Sequence, residues 1–98
     1  MFTFIRETTF KTMADALRAI PITQEFVKYY QDKFQVEMRL MRPVTGSPLR
    51  LRFVIEMESM DAWRSMNVKA IQDPAYQQLL VEIAPMMDGS KTVDEVWA

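Results

Sequence analysis

Hydrophobic and polar residues alternate along two neighbouring stretches in the middle of the chain. Apolar side chains stand at every second position from Val36 to Leu40, and again from Leu49 to Met57. Alternation with a period of two is typical of strands that have two different faces. The segment Pro43–Pro48 separates the stretches, and its two prolines mark strand ends rather than strand interiors. The pattern therefore predicts one β-hairpin over residues 34–58.

The alternation also predicts which residues of the hairpin lie opposite each other. The predicted register consists of three apolar pairs: Leu40 with Leu51, Met38 with Phe53, and Val36 with Ile55. The face that carries these pairs needs a cover, which helices would supply. The other face carries charged side chains, among which Glu37 would lie diagonally from Arg52 and Glu56: Glu37, Arg39, Arg50, Arg52, Glu56 and Glu58.

The charged face of the hairpin has two interpretations. It is either a solvated surface with weak charge pairs or a partly wet interface with another sheet. The chain is short and 49% hydrophobic, so it has apolar surface in excess of what one small core hides. This excess favours the interface.

The first residues of the chain predict another strand, over residues 2–9. Its alternation places Phe2, Phe4 and Arg6 on one face, which we expect to be the face covered by helices. An arginine there needs a partner or a position at the rim of a cleft, because an unpaired buried charge is costly. The alternative is that Arg6 extends along the sheet edge to reach water.

Helical spacing of apolar residues appears before and after the hairpin. Thr12 is the expected cap of the first helix, Pro21 is expected to interrupt or kink it, and Thr23 offers a second cap. Phe26, Tyr30 and Phe34 then follow at intervals of four and predict a buried stripe. Tyr30 is interpreted first as a core residue with a hydrogen-bonded hydroxyl group.

Two more helical segments are predicted between the hairpin and a closing strand at residues 92–97. Ser59 and Asp73 are their expected caps, and Pro74 suits a first helical position. The first segment places Trp63, Asn67 and Ile71 on one side. The inner face of the second is predicted to contain Tyr76, Leu79, Leu80, Ile83 and Met87.

The order of these elements is β-α-β-β-α-β, which predicts an α+β fold. Two right-handed crossovers in this order produce the split βαβ, or ferredoxin-like, sandwich. The expected sheet has four antiparallel strands in the order 4-1-3-2, with all helices on one face. At 98 residues the chain is expected to form a single domain over residues 1–98.

Composition excludes several classes of function. A net charge of -1 with interspersed acids and bases argues against nucleic-acid binding. The chain contains no apolar run of about 18 residues, so no membrane span is predicted. The chain has no cysteine and no histidine, which excludes disulfides, histidine-ligated haem and iron sites, and a Ser-His-Asp triad. Its two glycines form no phosphate-binding loop. We therefore expect no cofactor, no metal and, in the absence of a signal-peptide pattern, a cytoplasmic location.

The chain resembles the dimeric α+β barrel superfamily, and within it the NIPSNAP-like and antibiotic-biosynthesis-monooxygenase-like small domains. The resemblance rests on the first strand leading into a helix cap and on four further segments: Pro43–Gly46, Phe53–Trp63, Asp73–Gln77 and the closing strand that ends at Trp97. It implies a homodimer in which the sheets of the two subunits pack face to face. It also implies a ligand cleft between helices and sheet in each subunit.

The resemblance also suggests candidate site residues. Relatives that degrade haem use a histidine, which is missing here, whereas relatives that oxidise aromatic substrates without a cofactor line the cleft with Asn, Trp, Tyr and Arg. This chain supplies those types with Asn67, Trp63, Arg6, and Tyr30 or Tyr76. Arg6 would be a charge-assisted donor to an anionic or phenolic ligand, and Trp63 a flat apolar wall. The alternative is that Trp63 belongs to the core and Asn67 merely packs near the helix end.

Two functions remain open at this point. One is binding of a small organic ligand, aromatic or anionic, with cofactor-free monooxygenase-like chemistry. The other is a non-enzymatic dimeric module for a protein or metabolite, which nine methionines favour because their side chains adapt to varied apolar surfaces.

Overall fold

The computed structural model describes all 98 residues and has the predicted order of elements. The strands of the sheet are antiparallel, and their order β2-β3-β1-β4 is the predicted order 4-1-3-2 counted from the other edge. This confirms the ferredoxin-like α+β fold. The element bounds are β1 Phe2–Thr9, α1 Met13–Phe34, β2 Met38–Met41, β3 Arg50–Met57, α2 Met60–Ile71, α3 Pro74–Ile83 and β4 Val93–Trp97, with two short 3-10 helices at Ala84–Met86 and Gly89–Lys91.

The helix starts are where the capping residues predicted them. The side chains of Thr12, Ser59 and Asp73 each accept a hydrogen bond from a backbone amide two or three residues later, at 3.0 or 3.1 Å. Such caps satisfy amides that have no partner inside the helix. None of the helices is both long and apolar enough to cross a membrane.

The predictions that Pro21 interrupts the helix and that Thr23 caps a second one were wrong. α1 is one helix of 22 residues with Pro21 inside it, and Thr23 is buried with its hydroxyl group donating to the Ile20 carbonyl oxygen at 2.8 Å. A proline inside a helix costs about 3 kcal/mol. Buried residues on both sides of it, Ala19 and Phe26, belong to the core, so packing of the helix outweighs that cost.

The predicted hairpin register was wrong by two residues. Leu40 lies opposite Phe53, and Met38 lies opposite Ile55. A shift of two residues preserves the face of every side chain, so the apolar pairs still point to the helices. The loop between the paired strands is correspondingly longer, since β2 covers only Met38–Met41 and β3 begins at Arg50.

The side of the sheet away from the helices, here called the open face, is organised around β1. Arg52 donates to Glu7 at 3.0 Å, and Arg39 approaches Glu56 at 4.0 Å. Glu37 lies outside β2, so its predicted diagonal position near Arg52 and Glu56 was wrong. Val54, near the centre of this face, is only 3% exposed. The open face therefore has an apolar centre with charged surroundings.

The core lies between the other side of the sheet and the helices. On α2 the buried residues are Met66 and Ala70, whereas Ile71, predicted to face inward, is 62% exposed. Consecutive helical residues are about 100° apart around the axis, so Ile71 points away when Ala70 points in. The side of α2 that contacts the core thus contains Trp63, Met66 and Ala70.

Candidate ligand-binding cavity

A cavity of about 80 Å³ lies between the sheet and the helices. Thirteen residues line it and eleven of them are hydrophobic, which leaves Arg6 and Asn67 as the two strongly polar lining residues. The five site residues predicted from the sequence all contribute to this lining: Arg6, Tyr30, Trp63, Asn67 and Tyr76. Their role in ligand binding stays a prediction.

These five side chains reach the cavity from four elements of the fold. Arg6 comes from β1, where every second residue faces the helices. Trp63 and Asn67 come from successive turns of α2, as their spacing of four predicted. Tyr30 is on α1 and Tyr76 on α3, and both are buried. The convergence of four elements defines the cavity.

Arg6 has a carboxylate partner that sequence reasoning missed. Its Nε atom donates to Asp94 Oδ1 at 2.7 Å, and its Nη2 atom donates to Asp94 Oδ2 at 2.8 Å. Asp94 lies directly opposite Arg6 on the neighbouring strand β4. Hydrogen bonding to Asp94 raises the pKa of Arg6 although burial opposes the shift. The guanidinium is therefore charged at all ordinary pH values, and its side chain is 41% exposed at the cavity rim.

Aromatic rings form most of the cavity wall. The ring of Phe4 lies 4.9 Å from that of Trp63, centroid to centroid, at an angle of 43°. Phe26 makes edge-to-face contacts with Phe53 at 6.5 Å and with Tyr76 at 5.6 Å. Such geometries are the preferred ones for aromatic pairs. An aromatic ligand would meet the same kind of contact there.

The tyrosine hydroxyl groups at the cavity are held by one another. The Tyr30 hydroxyl donates to that of Tyr76 at 3.3 Å. Burial raises the pKa of Tyr30 far above its ordinary value, and the neighbouring Tyr76 adds to the shift. Tyr30 is consequently neutral in any physiological range and does not act as a proton acceptor.

A hydrogen bond between a tyrosine and an aspartate lies outside the cavity, in the helical layer. The Tyr29 hydroxyl donates to Asp73 Oδ2 at 2.7 Å, and desolvation together with this carboxylate raises the pKa of Tyr29. The same hydrogen bond lowers the pKa of Asp73. Because Asp73 also caps α3, this contact ties α1 to the start of α3 and fixes the position of Tyr76.

The side chains of the cavity suit binding more than proton transfer. Arg6 supplies a permanent positive charge, Asn67 supplies one amide donor and one amide acceptor, and the aromatic rings supply apolar contact. No group of three or more acidic side chains is close enough together to hold a metal ion. An aromatic molecule with one negatively charged or phenolic group would match this distribution.

Comparison with known proteins finds proteins of similar structure but none of similar sequence. No family model matches the sequence, and no curated protein matches it either. A NIPSNAP family protein from Agrobacterium tumefaciens superimposes with a TM-score of 0.83, covering 99% of this chain and 90% of the other at 8% identity. The chain has the fold of NIPSNAP-like proteins.

Monooxygenase-like structures share the same fold. A Deinococcus radiodurans protein named as an antibiotic biosynthesis monooxygenase matches with a TM-score of 0.76 and 6% identity, covering 100% of this chain and 91% of its own. A variant of SnoaB, a cofactor-independent oxygenase from Streptomyces nogalater, matches with a TM-score of 0.73 and 10% identity, covering 99% and 90%. The resemblance predicted from the sequence is confirmed as a likeness of fold. Identities this low carry no residue roles.

Proposed function

We propose that this protein is a homodimer that binds a small aromatic ligand, with an anionic or phenolic group, in the cavity between helices and sheet. The observation that carries the proposal is the position of Arg6. It is a charged guanidinium at the rim of a cavity whose other lining residues, apart from Asn67, are hydrophobic. One cation and one amide in an apolar wall are enough to orient a ligand.

The Arg6–Asp94 pair is the part of the cavity that an anionic ligand would change. Asp94 occupies two donors of the guanidinium, and three further N–H groups remain available for a ligand oxygen. The ligand ring would then stack near Trp63, which lies against Phe4. Asp94 keeps Arg6 in place when no ligand is bound, and it also competes electrostatically with an anion.

The small volume of the cavity limits the size of the ligand. Typical ligand pockets are about 300–1,000 Å³. A cavity of about 80 Å³ therefore fits a single ring unless flexible side chains move. Met38 and Met87 belong to its lining, and methionine side chains change shape easily.

Cofactor-free oxygenase chemistry is the reaction that the fold favours, because SnoaB has the same fold. The cavity has constraints of its own for such a reaction. Tyr30 stays neutral and Arg6 stays charged, so the proton of the ligand would go to solvent or to a carboxylate such as Asp94. Arg6 would stabilise the resulting anion. Ligands with an acidic phenol or enol group are therefore the expected substrates.

The homodimer would form through the open face. Met41, Val93 and Trp97 point to this face and are about half exposed or more in the single chain. They add to the apolar centre at Ile5 and Val54. A second copy would cover these residues, and an obligate interface of this type buries roughly 2,000 Å² or more.

Titration calorimetry with two aromatic probes tests ligand binding. Salicylate carries a charge and benzyl alcohol does not. We expect the Arg6→Gln variant to bind salicylate about tenfold or more weakly, because a charge-assisted hydrogen bond is lost, with benzyl alcohol unchanged. The matched control is Arg64→Gln, which removes an exposed arginine of α2. Equal salicylate affinity in both variants would contradict the proposal and favour the non-enzymatic module.

A further inference from the structure

A second cavity lies on the open face, at the end of the sheet where β2 connects to β3. Its volume is about 190 Å³, and its lining includes three arginines and one acid: Arg42, Arg50, Arg52 and Glu7. With three positive charges against one negative charge, it is strongly basic in a chain whose net charge is -1. We propose that this cavity binds a compact oxyanion, the phosphate group of a small soluble molecule.

The sequence around the cavity differs in its charged residues from the rest of the chain. Residues 38–55 contain four arginines and no aspartate, glutamate or lysine. Elsewhere in the chain acids and bases are interspersed. Arginine differs from lysine in its planar fork of donors, which fits the oxygens of phosphate in pairs. The use of arginine alone in this stretch therefore favours specific binding of an oxyanion over non-specific attraction of anions by positive charge.

Glu7 holds two of the arginines close together. Its Oε1 atom accepts from Arg52 Nε at 3.0 Å and lies 3.5 Å from Arg50 Nη1. Two guanidinium groups thus reach the same oxygen atom, which fixes their spacing in the absence of a ligand. One carboxylate neutralises only one of the three positive charges, so a net charge of about +2 remains to attract an anion.

Besides its contact with Glu7, Arg50 is held by the loop of the hairpin. Arg50 Nη2 donates to the Thr45 carbonyl oxygen at 2.9 Å, and Nε donates to the Ser47 carbonyl oxygen at 3.4 Å. Gly46 has a φ of +83°, and a Cβ atom there would lie 2.6 Å from Arg50 Nη2. Glycine at this position therefore gives the guanidinium its place against the loop. A donor group held in advance loses less entropy on binding.

Free donors remain for a ligand. Arg42 takes part in none of the salt bridges or side-chain hydrogen bonds of the protein. Both terminal nitrogens of Arg52 are also without a protein partner, because only its Nε atom donates to Glu7. Arg42 and Arg52 would bind the oxyanion directly, and Arg50 would add positive charge from its fixed position.

The cavity lies at one end of the open face and not at its apolar centre. It lies at the turn end of the strands, where residues 42–49 extend beyond the last pairs of the sheet. A second copy on the open face would cover Met41, which lines the cavity, so solvent would reach the cavity from the side of the loop residues 42–49. It is also on the opposite side of the sheet from Arg6, so it is a different site from the aromatic cavity.

Calorimetric titration with inorganic pyrophosphate at low ionic strength tests this proposal on the full chain. We expect saturable binding of one pyrophosphate per subunit. The Arg42→Gln and Arg52→Gln variants should each weaken it about tenfold, because each removes charge-assisted donors. Arg39→Gln is the matched control, since Arg39 lies on the same face but outside the cavity and pairs only with Glu56. It should change the affinity less than twofold.

Two results would overturn the oxyanion site. One is no saturable binding to the wild-type protein in the millimolar range. The other is an equal loss in the Arg39→Gln control, which would show a general effect of charge. Salicylate binding and sedimentation of the same variants keep the outcome separate from the proposed function. Both should be unchanged by Arg42→Gln, because Arg42 is far from the aromatic cavity and is exposed.

Discussion

The two faces of the sheet are made from the same strands but have opposite chemistry. Toward the helices, Leu51, Phe53 and Ile55 are buried in the core, and the one ion pair joins Arg6 to Asp94. On the open face, charged residues surround a small apolar centre. Successive residues of a strand point to opposite faces, so the same strands supply both environments. Each face can therefore acquire its own function without changing the other.

The first prediction compares two adjacent residues of β3 that point to opposite faces. Phe53→Ala should lower the free energy of unfolding by about 3–5 kcal/mol, because it opens a cavity beside Phe26. Val54→Ala should cost about 1.6 kcal/mol, since only two carbon atoms leave a buried site. Urea denaturation measures both changes. If Phe53→Ala cost less than Val54→Ala, the helix side would not be the main core.

The second prediction sharpens the interpretation of the open face. Trp97 is 61% exposed in the single chain and points to that face. Trp97→Ser should weaken the proposed dimer by about 2 kcal/mol, as truncation of an aromatic anchor does at interfaces. Sedimentation equilibrium measures the dissociation constant, and far-ultraviolet circular dichroism checks that the subunit stays folded.

The control for Trp97 is Val44→Ser, which changes a fully exposed loop residue. It should leave the dissociation constant unaltered. A wild-type protein that sediments as a folded monomer at micromolar concentration would remove the dimer from the proposal, and the open face would then be a solvated surface.

The third prediction concerns the ion pair at the cavity rim and has the smallest expected effect. Asp94→Asn removes a competing charge from Arg6 while keeping a side chain of the same shape. Salicylate affinity should rise about tenfold or less, and the free energy of unfolding should change by less than about 1 kcal/mol, because the pair is partly exposed. Calorimetry and urea denaturation measure these effects. Unchanged or weaker salicylate binding would show that Asp94 positions Arg6 rather than competes with the ligand.

The sequence alone determined the features that depend on neighbouring residues. The caps at Thr12, Ser59 and Asp73 and the facing of β1 follow from local hydrogen bonds and from the period of two. They also brought Arg6, Trp63 and Asn67 to the same side of the sheet. These rules act over a few residues, so they hold before the rest of the chain is considered.

The tertiary structure decided the features that depend on distant residues. Pro21 stays inside α1 because packing of the whole helix outweighs a local penalty. The hairpin register differs by two residues because both registers satisfy the same alternation, and only contact with the remaining elements distinguishes them. Asp94 meets Arg6, and Glu7 joins Arg50 to Arg52, through strand pairings between segments far apart in the chain. Such pairings are set by the summed energy of the fold, which no short stretch of sequence contains.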